Sequence, residues 1–97
     1  MMKAEIRFKH QNRDVILEMI DANQVHEMMN EQSFYEHWLL SYIQKTFNGG
    51  VLIDVGAHTG NHAVFFSMFC NFELIIAYEP NAEAFDILEK NIQMNFD

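Results

Sequence analysis

Between residues 3 and 9, apolar and charged side chains alternate, with Ala4, Ile6 and Phe8 on one side and charges on the other. A period of two predicts a half-buried strand. Residues 10–14 (His-Gln-Asn-Arg-Asp) form a polar turn of types that tolerate left-handed backbone. Residues 15–20 are a second strand candidate. Together they predict a β-hairpin, a small cap over the open end of the core. Residues 21–32 carry Val25, Met28 and Met29, and both a short helix and an irregular link fit them. The methionines read as gap-filling core groups. Ser33-Phe34-Tyr35-Glu36 has the S-x-x-E spacing of a capping box. It predicts a helix over residues 34–47, with Phe34, Trp38, Ile43 and Phe47, joined by Leu39, Leu40 and Tyr42, as a broad apolar face. Asn48-Gly49-Gly50 ends it.

Val51–Val55 is a short β-branched run interrupted by Asp54 and followed by Gly56 and Gly60. That predicts a strand, a tight turn and the start of a helix. Val51, Leu52, Ile53 and Val55 are apolar on both faces, so the strand is expected to be covered on both sides, as parallel strands are. A helix follows over residues 61–70, with Val64, Phe65 and Met68 at core spacing. Leu74–Tyr78 reads as a second core strand, stopped by Pro80. Asn81 is a good N-cap for a helix over residues 82–95, with Phe85, Leu88 and Ile92 buried and Glu83, Asp86, Glu89 and Lys90 wet. Asn91 reads as a surface helical residue. The expected fold class is α/β: two parallel strands with helices, a partial doubly wound core, preceded by a β-hairpin and a helix. No repeat or linker divides the chain. Residues 1–32 form the hairpin and link, and residues 33–97 begin the core of a single domain.

Composition narrows this. The 97 residues are 49% hydrophobic and 13% aromatic, enough for a core in one domain. No apolar run approaches the roughly eighteen residues of a membrane span. The N-terminal residues lack the apolar stretch of a signal peptide, and one cysteine excludes an internal disulfide. A cytoplasmic protein with no membrane partner is the expectation. The net charge is −8, and residues 14–44 contain six acids and no lysine or arginine. Such a surface repels phosphate backbones and speaks against a nucleic-acid partner. A complete Rossmann-type enzyme needs more strands than this length supplies, so the chain is expected to be a truncated domain.

The candidate chemistry sits at the two strand ends. Gly56 and Gly60 allow positive φ and close approach of a ligand. Glu79 lies nineteen residues after Gly60, the offset at which a nucleotide-binding βαβ unit places an acid on ribose hydroxyls. A carboxylate can accept from both hydroxyls. Asp54 and Glu79 also have plainer readings, as a turn cap and as an acid near a helix N-terminus. The spacing Asp54-x-Gly56-x-His58-x-Gly60 is not G-x-G-x-x-G, which disfavours a nicotinamide enzyme. His58 and His62 are four apart, but His58 lies in the loop and no third ligand is near, so no metal site is expected. Cys70 reads as a small hydrophobe at a helix end, not as a nucleophile.

The first motif resembles that of S-adenosylmethionine-dependent methyltransferases. More narrowly, residues 53–60 (Ile-Asp-Val-Gly-Ala-His-Thr-Gly), then Tyr78-Glu79-Pro80-Asn81, then Asn91-Ile92, resemble the FkbM family, whose pattern runs roughly IDVGANxG, EP-N and a later N-I. Ser33-Phe34-Tyr35-Glu36 resembles the segment ahead of that family's core. The resemblance covers about residues 28–95, and His58 stands where Asn is usual. It implies a partial Rossmann-like methyltransferase core that binds S-adenosyl-L-methionine through Glu36, Asp54, Gly56, Ala57, His58, Gly60, Asn61, Glu79 and Pro80. Glu36, read from spacing as a cap, is by the resemblance beside the methionine end of the cofactor. The implied reaction is O-methylation of a hydroxyl on a small molecule or glycan. No residue stands out as the catalytic base. The competing expectation is a non-catalytic truncated Rossmann module that works by protein–protein association, including homo-oligomerisation through exposed strand edges.

Overall fold

The computed structural model describes residues 3–96. Strands β1 (Ala4–His10) and β2 (Arg13–Met19) pair antiparallel as the expected hairpin. Gln11 and Asn12 at its tip both have positive φ, 48° and 65°, the backbone that matches the twist of a two-residue hairpin. Helices α1 (Ala22–Glu31) and α2 (His37–Thr46) follow, then β3 (Val51–Val55), α3 (Asn61–Phe69), β4 (Leu74–Tyr78) and α4 (Ala82–Phe96). β3 and β4 form a separate two-stranded parallel sheet. The fold is α/β, with the hairpin and two helices ahead of the parallel unit. Among the described residues, no helix is long and apolar enough to cross a membrane.

The hairpin is no cap. Ile6, Phe8, Val15, Leu17 and Met19 belong to the one core cluster. Residues 21–32, left open by the sequence, contain helix α1, capped by the Asp21 side chain accepting from the Gln24 N–H at 3.0 Å. Phe34 is fully buried and stands edge-on to Phe8 and Phe65, with centroids 5.0 and 5.2 Å away. Phe69 and His10 join this group. Burial lowers the pKa of His10, with His37 adding to the shift.

Three expectations need correction. The capping box does not form: α2 begins at His37, and its N-cap Glu36 is left-handed (φ 57°) without a side-chain cap bond. Phe34 is drawn into the aromatic core, and that tertiary contact overrides the local signal. The face predicted for this helix holds only in part: Phe34 and Leu40 are buried and Ile43 packs on the core, whereas Trp38, Tyr42 and Phe47 are exposed. Second, β3 and β4 are covered on one side only. Leu52 and Ile75 join the core, but Val51, Ile53 and Val55 face outward. Third, the buried stripe of α4 runs through Ala84, Ile87, Leu88 and Asn91, and Phe85 is partly exposed.

Asn91 is fully buried and is the joint of the fold. Its Oδ1 accepts from the Glu18 N–H at 2.8 Å, and its Nδ2 donates to the carbonyls of Glu18 and Thr59, at 2.9 and 2.7 Å. Asn95 repeats the pairing on the N–H and C=O of Ile16, at 3.0 and 2.8 Å. Four residues of helix advance about 6.0 Å and two of strand about 6.6 Å. Asparagines at i and i+4 therefore match alternate peptide units on a strand edge. Two side-chain amides take the place of a third strand beside β2.

Gly60 (φ 93°) caps α3, and a Cβ there would lie 3.0 Å from Leu88 Cγ. Gly49 is also positive in φ (76°), but a Cβ on it would meet nothing within 4 Å. Gly60→Ala is therefore expected to destabilise the fold by about 1–3 kcal/mol through strain and overpacking together. Gly49→Ala should cost less, through backbone strain alone. Urea unfolding of both variants checks this, and equal losses would contradict it.

Candidate functional site

The turn from β3 to α3 is built by backbone bonds and then braced. The N–H groups of Gly56 and Ala57 both donate to the Tyr78 carbonyl, at 2.8 and 3.0 Å, carrying the β3–β4 pairing past the strand ends. His58 is left-handed (φ 54°). Asn and His are among the few non-glycine residues found often in that region, so His58 suits a position where the resembled pattern carries Asn. From behind, Asn91 holds the Thr59 carbonyl.

Glu79 stands at the end of β4 and reaches the turn. Its Oε1 accepts from the His58 N–H at 2.7 Å, and its Oε2 accepts from the Asn81 N–H at 3.0 Å. These bonds, Asn81 first, hold its carboxyl below the usual Glu value. Each oxygen keeps a second lone pair, so the bracing leaves the group able to accept from a ligand.

The other wall comes from the link between α1 and α2. The Asn61 carboxamide bonds both backbone groups of Tyr35, accepting from its N–H at 3.0 Å and donating to its C=O at 2.9 Å. That clamp carries Glu36 over the turn, where its Oε1 lies 3.2 Å from His62 Nε2. Asn61 thus positions a neighbour and has its amide engaged.

A cleft of about 180 Å³ results, lined by Gln24, Tyr35, Glu36, Asp54, Gly56, Ala57, His58, Thr59, Asn61 and His62. It gathers most of the residues singled out from sequence. Gly60 lies beneath it against Leu88, and Glu79 and Pro80 lie outside its walls. Gln24, Tyr35, Thr59 and His62 line it without having been named as binding residues. His62 carried a signal, its spacing from His58, but that spacing bears only on a metal pair that lacks a third ligand. Among the described residues no group of three or more His, Cys, Asp or Glu is placed to hold one.

Asp54 is the unsatisfied member. Its Oδ2 is buried without a hydrogen-bond partner. Burial, with Glu79 adding, raises its pKa, and His62 works against the rise. A buried carboxylate oxygen with no donor is costly. Cys70 ends α3, partly buried, and burial raises its thiol pKa, which disfavours nucleophilic use.

In comparisons with known proteins, the chain matches no protein family, no curated protein and no solved structure.

The two carboxylates predict opposite pH effects. Glu79 has a depressed folded value, so its stabilisation is complete above the unfolded value of about 4.3 and is lost as pH falls through the folded value. Glu79→Gln should be less stable than the parent at neutral pH, and the gap should close in acid. Asp54 has a raised folded value, so its charged form costs stability above that value, and the cost shrinks as pH falls through it and is gone below the unfolded value. Asp54→Asn should be at least as stable as the parent at pH 7, with its advantage shrinking in acid. Urea melts across this range test both, and a destabilised Asp54→Asn at neutral pH would show that the carboxylate has a partner.

Proposed function

We propose that this chain is the cofactor-binding part of an S-adenosylmethionine-dependent methyltransferase of the FkbM type, with a Rossmann-like core begun by β3, α3, β4 and α4. The observation that carries the reading is the cleft lined by Asp54, Gly56 and His58 at the carboxyl end of a parallel strand, where α/β sheets bind their ligands. The sequence resemblance at residues 53–60 and 78–81 supports it.

The residues fit the cofactor's chemistry. Its amino-acid end carries an ammonium, from which Asp54 and Glu36 would accept hydrogen bonds. The cleft is smaller than the roughly 300–1,000 Å³ of a site for a whole drug-sized ligand, which suits that end alone. Gly56 has open space where a Cβ would stand, so the backbone can be approached there. Glu79 would take ribose hydroxyls on its remaining lone pairs. When bound, the cofactor supplies an electrophilic methyl group. The protein's part is to fix its orientation and to surround its positive charge with Glu36, Asp54 and Glu79. The acceptor in this reading is a hydroxyl on a small molecule or glycan, and no residue of the cleft is assigned as its base.

Calorimetric titration with S-adenosylhomocysteine tests the proposal. Saturable binding is expected, weakened at least about tenfold, or 1.4 kcal/mol, in Glu79→Ala. Because Glu79 also braces the turn, Asp54→Asn is the second arm: it keeps both braces and should weaken binding as well. No binding to the parent chain, or tighter binding of NADH, would overturn the reading.

A further inference from the structure

We propose that the uncovered face of the β3–β4 sheet is an interface between two copies of this chain. The parallel register sets Val51 beside Leu74, Ile53 beside Ile76 and Val55 beside Tyr78. All six side chains are 44–75% exposed, while Leu52 and Ile75 between them turn into the core. The exposure therefore belongs to one whole sheet face and is not scattered. Parallel sheets are ordinarily buried on both faces.

The area suits a dimer. Six adjoining residues exposed to this degree form a patch on the order of several hundred Å², comparable with the largest patch of an ordinary monomer and a large part of the ~800 Å² per partner of a stable interface. The rim of the face can supply the rest.

The chemistry suits a second copy. None of the six carries a charge, although the chain has a net charge of −8. Asp54 lies on the opposite face by strand alternation, and Glu79 lies beyond the strand end. Two like-charged bodies can meet there without burying a carboxylate. Sheets pack face to face with their side chains interdigitated, and a two-fold axis lets one apolar surface cover its own copy and close the assembly. Asp54, which lines the cleft, lies on the other side of the sheet, so the contact leaves that side free.

Sedimentation equilibrium over a wide micromolar range is the test. The expected result is a saturating species of twice the 11.4 kDa chain mass. Ile53→Glu and, separately, Ile76→Lys should each weaken it at least about tenfold, as charges placed in an interface core do. Both side chains face outward, so both variants should keep the parent's circular dichroism. Trp38→Ser, which removes an exposed aromatic of α2 away from this face, should remain dimeric. A monomer at every concentration, with the face open to a hydrophobic dye, would assign it to a different partner and overturn the proposal. So would open-ended growth, a dimer that survives both sheet variants, or loss of the dimer in Trp38→Ser.

Discussion

A single buried carboxamide holds three parts of this chain together. Asn91 lies on the inner face of α4 and uses both of its amide protons and its oxygen, on the two backbone groups of Glu18 in β2 and on the carbonyl of Thr59 in the glycine turn. An amide buried without partners costs about 1–3 kcal/mol, so this side chain is favourable only with the hairpin and the turn both in place. Lys90 adds an ion pair to Glu18 at 2.8 Å on the outside of the same contact. Asn95 and Asn61 apply the same device to Ile16 and Tyr35. In each case a planar side-chain amide pairs with the N–H and C=O of one residue, as a neighbouring strand would.

These clamps decide what the site looks like. The turn after β3 is fixed from the front by Glu79 and from behind by Asn91. Asn61, at the first position of α3, pulls in the link that bears Glu36. The cleft is thus walled by two segments far apart in sequence, and the two acids that line it and the one beside it are satisfied unequally. Glu79 has two backbone donors, Glu36 has His62, and the Oδ2 of Asp54 has no partner. Burial raises the Asp54 pKa, and the two backbone donors lower that of Glu79.

Much of this was legible in the sequence. Alternation gave the hairpin, and the apolar runs ending at Asp54-Val55 and Glu79-Pro80 gave the parallel strands. Of the residues that point to the strand ends, Gly56 lines the cleft, while Gly60 caps α3 and Glu79 braces the turn. The misreadings share a cause, the assumption that a residue serves its own local element. Ser33 and Glu36 have capping-box spacing, but Phe34 between them is pulled into the core among Phe8 and Phe65. Asn91 reads from the sequence as a surface helical residue, but it is buried. Its place in line with Ala84, Ile87 and Leu88, and a second asparagine four residues on, were the available signs that it faced inward. Strand β3 is apolar on both faces, yet only one is covered, because composition records what a surface can bury and not what lies against it.

Amide hydrogen exchange in Asn91→Ala, read at Glu18 and His58, tests the central claim that this side chain couples the hairpin to the turn of the site. The Glu18 N–H bonds Asn91 directly, whereas the His58 N–H bonds Glu79 and feels Asn91 only through the turn. The account predicts faster exchange at both positions in the variant. Faster exchange at Glu18 with His58 unchanged would show that the turn stands without Asn91 and would contradict it.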